Sequence, residues 1–235
     1  MSRYRNSHNY RHEGEAQNPL LTGLVLVGII AAFATVGWWL WSYSRSHVIQ
    51  TPMALGAGFD VSESMRKEQK QRAVAFLNGV IGQVMPTRTP TKIWRYAEIV
   101  ETVHESRPIA SKELMAVSRE TIENHMGKWG TRPDKVMDEF AHYLQQDGER
   151  KYVLCLFTDG ECHDAARTRE QAAHLAKDDR VVAVVVGPVI NRYRRAVENH
   201  YYAPLREADK LIVFGETDAL DALARLKERL NQLKN

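Results

Sequence analysis

Three side chains with oxygen ligands stand close together between Phe59 and Arg66, a stretch that reads Phe-Asp-Val-Ser-Glu-Ser-Met-Arg. They are Asp60, Ser62 and Ser64, and they offer oxygen without nitrogen or sulfur. Hard divalent cations such as Mg²⁺, Mn²⁺ and Ca²⁺ prefer such ligands. The alternative is that these residues only cap the helix that follows, because Asp and Ser satisfy free amides at a helix N-terminus.

The neighbouring segments place these side chains at the end of a strand. Met53–Phe59 is small and apolar, as in a buried strand, and the residues from Met65 onward have helical spacing. The Asp-x-Ser-x-Ser segment is therefore predicted to form the turn after a strand, where open α/β sheets bind ligands. The small residues of Met53–Phe59 would let a helix approach closely, but its two glycines weaken a strand, and what these glycines gain is not evident from the sequence.

Two later turns add further oxygen ligands. The apolar strand Tyr152–Thr158 runs into Asp-Gly-Glu and adds the carboxylate of Asp159. Between the two strands, Trp-Gly-Thr-Arg-Pro adds the hydroxyl of Thr131 just before a helical run. In this order, the three turns resemble those of the von Willebrand factor A (VWA) domain and its metal-ion-dependent adhesion site. The resemblance extends over about Met53 to Leu230.

The resemblance implies a metal site and a protein partner. Five side chains match the family's metal positions: Asp60, Ser62, Ser64, Thr131 and Asp159. Two carboxylates at −1 each give this set a formal charge of −2, which offsets a divalent cation. If the hydroxyls ligate directly and the aspartates act through water, an octahedral ion keeps one position for an outside oxygen. By resemblance, the ion is Mg²⁺, with Mn²⁺ or Ca²⁺ as alternatives, and the outside oxygen is a carboxylate of a partner protein.

Two acidic residues flank the predicted ligands. Glu63 stands where the resembled family commonly has Gly, and Glu161 follows the Thr-Asp-Gly turn. One interpretation is that both are solvated rim residues. The other is that they raise the local negative charge, which strengthens cation binding and disfavours an acidic partner.

Strand and helix patterns alternate along the rest of the chain, which predicts βαβ units and a mainly parallel, doubly wound α/β sheet. A tight pair of strands should add one antiparallel edge strand, as in the resembled family. The predicted strands are Met53–Phe59, Lys92–Ala97, Ile99–His104, Tyr152–Thr158, Val181–Gly187 and Leu211–Phe214. The predicted helices are Glu63–Val84, Ser111–His125, Pro133–Gln146, Ala165–Lys177 and Thr217–Leu233.

A transmembrane helix is predicted before this domain. Leu20–Trp41 has no charged residue over 22 positions. Such a helix is about 33 Å long and matches a hydrocarbon core of about 30 Å. The alternative, a cleaved signal peptide, fits less well because tryptophans stand where small residues belong. The predicted organisation is a flexible basic tail (1–18), a transmembrane helix (19–43), a linker (44–51) and a VWA domain (52–235).

The arginine distribution predicts the orientation in the membrane. Three arginines precede the predicted span, and Arg45 alone follows it closely. This bias places the N-terminus in the cytoplasm and the VWA domain outside it. Cysteine usage points the other way, because Cys155 and Cys162 are badly placed for a disulfide and unpaired thiols are commoner in reducing compartments.

Composition and motifs narrow the class of function. The net charge of +3, from 32 basic and 29 acidic residues, does not favour nucleic acid as a partner. The nine histidines show no zinc spacing. Asn191–Arg195, together with Tyr201 and Tyr202, is either a basic-aromatic contact patch or the exposed face of a helix.

Three functions are compatible with these features to different degrees. The leading one is a membrane-anchored adhesion or scaffold module that binds a protein through its cation, and it is not an enzyme. The alternative is a docking subunit of a larger membrane-associated or ATPase-driven assembly. A metal-dependent hydrolase is less favoured, because it needs a second acidic residue near Asp60 and position 62 is serine.

Overall fold

The computed structural model describes residues 51–110, 112–114, 116–117 and 130–233. The predicted tail, transmembrane segment Leu20–Trp41 and nearly all of the linker lie outside these ranges, as does most of the predicted helix Ser111–His125. Within the described ranges, no helix combines the length and apolar character needed to cross a membrane.

A six-stranded mixed sheet forms the centre of the described part, with strand order β3-β2-β1-β4-β5-β6. Neighbouring strands are parallel except β2 and β3, so β3 is the predicted antiparallel edge strand. This confirms the predicted mainly parallel α/β sheet with one antiparallel edge strand. The strands are β1 (Met53–Asp60), β2 (Pro90–Tyr96), β3 (Val100–Pro108), β4 (Lys151–Phe157), β5 (Val181–Gly187) and β6 (Leu211–Val213).

Helices cover both faces of this sheet. Side chains on the two faces pack in separate apolar cores, one with α1 and α6 and the other with α2 and α3. The helices are α1 (Lys67–Gly79), α2 (Pro133–Leu144), α3 (Ala165–Lys177), α4 (Asn191–Ala196), α5 (Ala203–Glu207) and α6 (Ala219–Gln232). π-Helical turns extend α1 over Val80–Val84 and α4 over Val197–Tyr201. Residues 112–114 and 116–117 are also helical.

The first helix begins four residues later than predicted. The sequence pattern favoured a start at Glu63, whereas α1 starts at Lys67 after an extended Arg66 with ψ of 156°. The intervening residues form a separate turn, in which the Asp60 carboxylate accepts a hydrogen bond from the Ser62 amide. That turn keeps the oxygen ligands out of the helix.

Two glycines let α2 pack directly on the backbone of β1. Side chains alternate along a strand, and Gly56 and Gly58 lie on the α2 face. A Cβ on Gly56 would lie 2.7 Å from a ring carbon of Phe140, and one on Gly58 would lie 2.7 Å from a methyl of Val136. This close approach explains the glycines that the sequence left unexplained. It also brings the segment before α2, which contains Thr131, to the end of β1.

Candidate metal centre

The first turn of the site follows directly from β1. Asp60 is the last residue of this strand and is only 1% exposed. Its Oδ1 accepts a hydrogen bond from the Ser62 amide at 2.9 Å, which folds the chain back at once. The Ser62 and Ser64 hydroxyls then lie 3.1 Å apart. The three predicted ligands of this segment are therefore neighbours in space.

The second turn follows β4, the parallel neighbour of β1. The Thr158 hydroxyl donates to Asp60 Oδ2 at 3.2 Å, and this bond joins the two turns. Asp159 comes next, and its Oδ1 accepts from the Glu161 amide at 2.9 Å. The Ser64 hydroxyl also hydrogen-bonds to the Asp159 carboxylate. Both aspartates thus lie at the edge where the parallel strands end.

The third turn brings Thr131 to the same place. The Thr131 hydroxyl donates to Ser62 Oγ at 3.1 Å, and Thr131 is fully buried. Its backbone is held on both sides by His163: the Thr131 amide donates to His163 Nδ1 at 2.9 Å, and the His163 amide donates to the Thr131 carbonyl at 3.0 Å. All five predicted ligands are therefore connected by hydrogen bonds.

Without a cation, the charged forms of the Asp60 and Asp159 carboxylates are unfavourable. Burial is the main reason that the pKa of Asp60 rises to about 7, and the nearby Asp159 carboxylate raises it further against hydrogen bonds from Ser62 and Thr158. Burial also raises the pKa of Asp159, with a contribution from Glu161. A cation between these carboxylates would favour their charged forms.

The donor set fits a hard cation that needs few carboxylates. Within the described ranges, no group of three or more His, Cys, Asp or Glu is placed to hold a metal. The candidate site has only two such residues, and hydroxyls supply the remaining oxygen atoms. This composition suits Mg²⁺ or Mn²⁺, whereas the commonest ligands of structural zinc are cysteine and histidine.

The rim of the site has charges of both signs. Glu63 is exposed and Glu161 is half-buried. The exposed Arg192 lowers the pKa of Asp159, so its positive charge acts on the site. Its guanidinium lies 4.5 Å from the ring centre of Tyr193. Asn191–Arg195 lies in a helix, α4, as one of the two interpretations of this segment expected.

Helix α4 is fixed to the second turn through its preceding residue. The Ile190 amide donates to the Asp159 carbonyl at 2.9 Å. Three residues around the site were not among the predicted ligands: Thr158, His163 and Arg192. Thr158 had a local signal, since it opens the Thr-Asp-Gly turn, and Arg192 lies in the basic segment Asn191–Arg195. The effect of Arg192 on Asp159 and the contact of His163 with Thr131 depend on turns that are distant in the chain.

The raised pKa of Asp60 predicts a pH-dependent stability of the metal-free protein. With a folded pKa of about 7, Asp60 keeps a proton that the unfolded chain loses at about pH 4. Its contribution to stability is complete below about pH 4 and is lost as the pH rises to about 7. We expect the free energy of unfolding to fall by up to about 4 kcal/mol across this window, relative to Asp60→Asn. Urea unfolding in chelator measures the difference, and parallel pH profiles for the two proteins would contradict it.

Comparison with known proteins supports the same fold. The model of the von Willebrand factor type A domain matches residues 59–221. An aerotolerance-related membrane protein from Bacteroides fragilis, solved with multiple mutations to serines, is similar in structure with a TM-score of 0.54 and 14% identity, over 77% of this chain and 99% of that one. No curated protein sequence matches the chain.

Two further solved structures share the fold. The manganese-loaded TRAP protein of Plasmodium vivax has a TM-score of 0.55 and 16% identity, over 75% of this chain and 74% of its own. Proximal thread matrix protein 1 from the mussel byssus has a TM-score of 0.52 and 13% identity, over 77% of this chain and 45% of its own. At these identities the likeness concerns the fold alone. Because the family model covers more than half of the sequence and the sheet has the expected strand arrangement, the chain belongs to the von Willebrand factor type A domain family.

Proposed function

We propose that this chain binds a divalent cation at a metal-ion-dependent adhesion site and uses it to bind a carboxylate of a partner protein. The observation behind the proposal is that three turns, distant in the chain, join two buried carboxylates and three hydroxyls at one edge of the sheet. The physiological ion is Mg²⁺. The similar fold of a manganese-loaded protein is consistent with a divalent ion at this place.

Each residue of the site has a part in holding the cation. Ser62, Ser64 and Thr131 supply neutral oxygen atoms, and Asp60 and Asp159 supply the negative charge. A cation with so few charged ligands remains electrophilic and attracts an outside carboxylate. Thr158 and His163 act indirectly, since Thr158 orients the Asp60 carboxylate and His163 fixes the Thr131 backbone.

The rim sets which partners are accepted. Glu63 and Glu161 repel an acidic partner, whereas Arg192 attracts it from the α4 side. A partner that offers its carboxylate from the direction of α4 meets Arg192, whose positive charge acts on Asp159. Opposite charges placed in this way select the orientation of a partner more than they add affinity.

The chain is proposed to act from a membrane as an adhesion or scaffold protein without enzymatic activity. The uncharged run Leu20–Trp41 supports a single transmembrane helix, and the similar Bacteroides fragilis protein is itself described as a membrane protein. The excess of arginine before this run favours a cytoplasmic N-terminus and a VWA domain on the other side.

Partner capture should depend on the metal, whereas folding should not. We expect Asp159→Ala to keep a cooperative thermal unfolding transition. Partners are captured by crosslinking, and the metal-dependent ones are those that wild-type protein releases in EDTA and binds again in Mg²⁺. The variant should lose these metal-dependent partners. The starting material is the full chain from the membrane fraction of its own cells. Asp221→Ala, at an exposed position of α6, is the matched control and should keep every partner.

Three results would contradict the proposal. Recovery of the chain only in the soluble fraction would contradict the membrane anchor. Partners that are insensitive to EDTA would favour a docking role without metal. Global unfolding of the metal-free protein would show that the cation is structural, because the two apolar cores would then be insufficient without it.

A further inference from the structure

A cavity lies at the edge of the sheet opposite the candidate metal site, where strands β1, β2 and β4 begin. Its volume is about 300 Å³, at the small end of the range for ligand pockets. The described residues that line it include two arginines and no acidic side chain. Its polar lining consists of Thr51, Thr87, Arg88, Thr89 and Arg150. Guanidinium and hydroxyl groups donate hydrogen bonds, so the cavity suits a small anion.

Arg88 has an unusual backbone conformation. Its φ is 67°, in the left-handed region that residues other than glycine rarely adopt. It is the third residue of a turn in which the Thr89 amide and hydroxyl both donate to the Pro86 carbonyl, at 3.2 and 2.6 Å. Glycine is preferred at this position of a turn when φ is positive. Because glycine would relieve the strain of this turn, the presence of an arginine indicates a use for its side chain.

The two charged loops that border the cavity have an excess of positive charge. Arg150 Nε forms an ion pair with Asp147 Oδ2 at 2.6 Å, and Glu149 and Lys151 beside it in the chain offset each other. Arg88 is exposed, and within the described part of the chain its guanidinium has no hydrogen bond or ion pair. The remaining charge of +1 therefore belongs to Arg88. An anion in the cavity would meet a guanidinium that no carboxylate already neutralises.

The position of the cavity in the chain indicates the source of such an anion. Thr51 lines the cavity, and the predicted transmembrane segment ends about ten residues earlier, at Trp41. An extended chain of this length spans at most about 35 Å, which limits the distance between the cavity and the lipid headgroups. Anionic phospholipids present phosphodiester groups there, and an arginine can bind a phosphate through two parallel hydrogen bonds. The tether also raises the effective concentration of headgroups at the cavity.

We propose that this cavity binds the phosphodiester headgroup of an anionic phospholipid through Arg88 and Arg150, and so holds this edge of the domain at the membrane surface. The metal site, at the opposite edge of the sheet, is then presented away from the bilayer. The lipid as the source of the phosphate rests on the proposed membrane anchor. The anion site itself rests on the cavity and on the turn that contains Arg88.

Native mass spectrometry of the metal-free full chain in detergent tests the proposal with phosphatidylglycerol and phosphatidylcholine as probes. We expect wild type to bind phosphatidylglycerol more tightly, because the choline ammonium of the other lipid offsets its phosphate charge. Arg88→Gly and Arg88→Gln should each weaken the binding of phosphatidylglycerol by about tenfold, the effect of losing one charge-assisted hydrogen bond. Arg225→Gln removes the same charge from an exposed position of α6 and should bind both lipids as wild type does.

Arg88→Gly also separates lost binding from lost folding. Glycine adopts a positive φ without strain, so this variant should unfold in urea at the wild-type concentration or above it. Unchanged binding of phosphatidylglycerol by both Arg88 variants would overturn the proposal. Soluble glycerol phosphate that binds as tightly as the lipid would overturn the lipid as the ligand. Recovery of the chain only in the soluble fraction would refute the proposed anchor, while the titrations would still decide whether the cavity binds an anion.

Discussion

Replacing Asp60 with alanine should weaken Mn²⁺ binding by at least about a hundredfold, since changes even beyond the direct ligands of a metal cost about 10- to 100-fold. The substitution removes one of two negative charges and the acceptor of hydrogen bonds from Ser62 and Thr158. Titration calorimetry of the full chain measures the loss. Equal affinity in the variant would refute the assignment of the site.

The same variant should remain folded, which separates loss of a ligand from loss of structure. At neutral pH the metal-free protein gains little from a buried Asp60 whose pKa lies near 7. We therefore expect an unchanged circular dichroism spectrum. Asp221→Ala removes an exposed carboxylate from α6 and should bind Mn²⁺ as wild type does.

Gly56→Val should destabilise the domain by about 3 kcal/mol or more, the upper range for overpacked cores. The new Cβ alone would lie 2.7 and 2.9 Å from two ring carbons of Phe140 and 3.0 Å from Trp94, all in the interior. Helix α2 must move away to make room. Because Thr131 lies two residues before the start of α2 at Pro133, we expect weaker Mn²⁺ binding as well.

Gly82→Ala is the control for this substitution. Among the residues that the structure describes, a Cβ at Gly82 meets no atom within 4 Å, so the variant should unfold at the wild-type denaturant concentration or slightly above it, because alanine favours a helical turn more than glycine does. Urea denaturation followed by circular dichroism compares the two variants. A Gly56→Val protein as stable as wild type would mean that α2 does not need the bare backbone of β1.

Local patterns predicted most of the fold because they are set by local chemistry. Val181–Gly187 is a continuous apolar run, and Ala165–Lys177 is amphipathic, and both have the predicted bounds. The start of α1 was predicted too early, because helical spacing does not reveal that the preceding residues form a separate turn. In that turn the Ser62 amide donates to the Asp60 carboxylate. Explaining the glycines of β1 required the position of α2, which no local sequence pattern shows.

The site was predictable in part for the same reason. The order of the three turns and the parallel sheet place Asp60 and Asp159 at one edge. The contact of His163 with Thr131 depends on how two loops meet, and the sequence shows only a histidine after Cys162. The burial of Lys70 in α1 could not be predicted, because a lysine in a helical pattern indicates an exposed position unless its surroundings are known.

The path of β1 has a mechanical consequence. This strand is paired in parallel with β2 and β4 along its length, the preceding chain enters it after Thr51, and Asp60 ends it at the other side. A partner that pulls on the metal turns against a tether before Thr51 would stretch β1 along its own axis. The hydrogen bonds to both neighbouring strands would then share the load in shear and would not open one after another. If this end of the sheet binds a partner as proposed, the unfolding rate under that shear load would set how long the domain sustains tension.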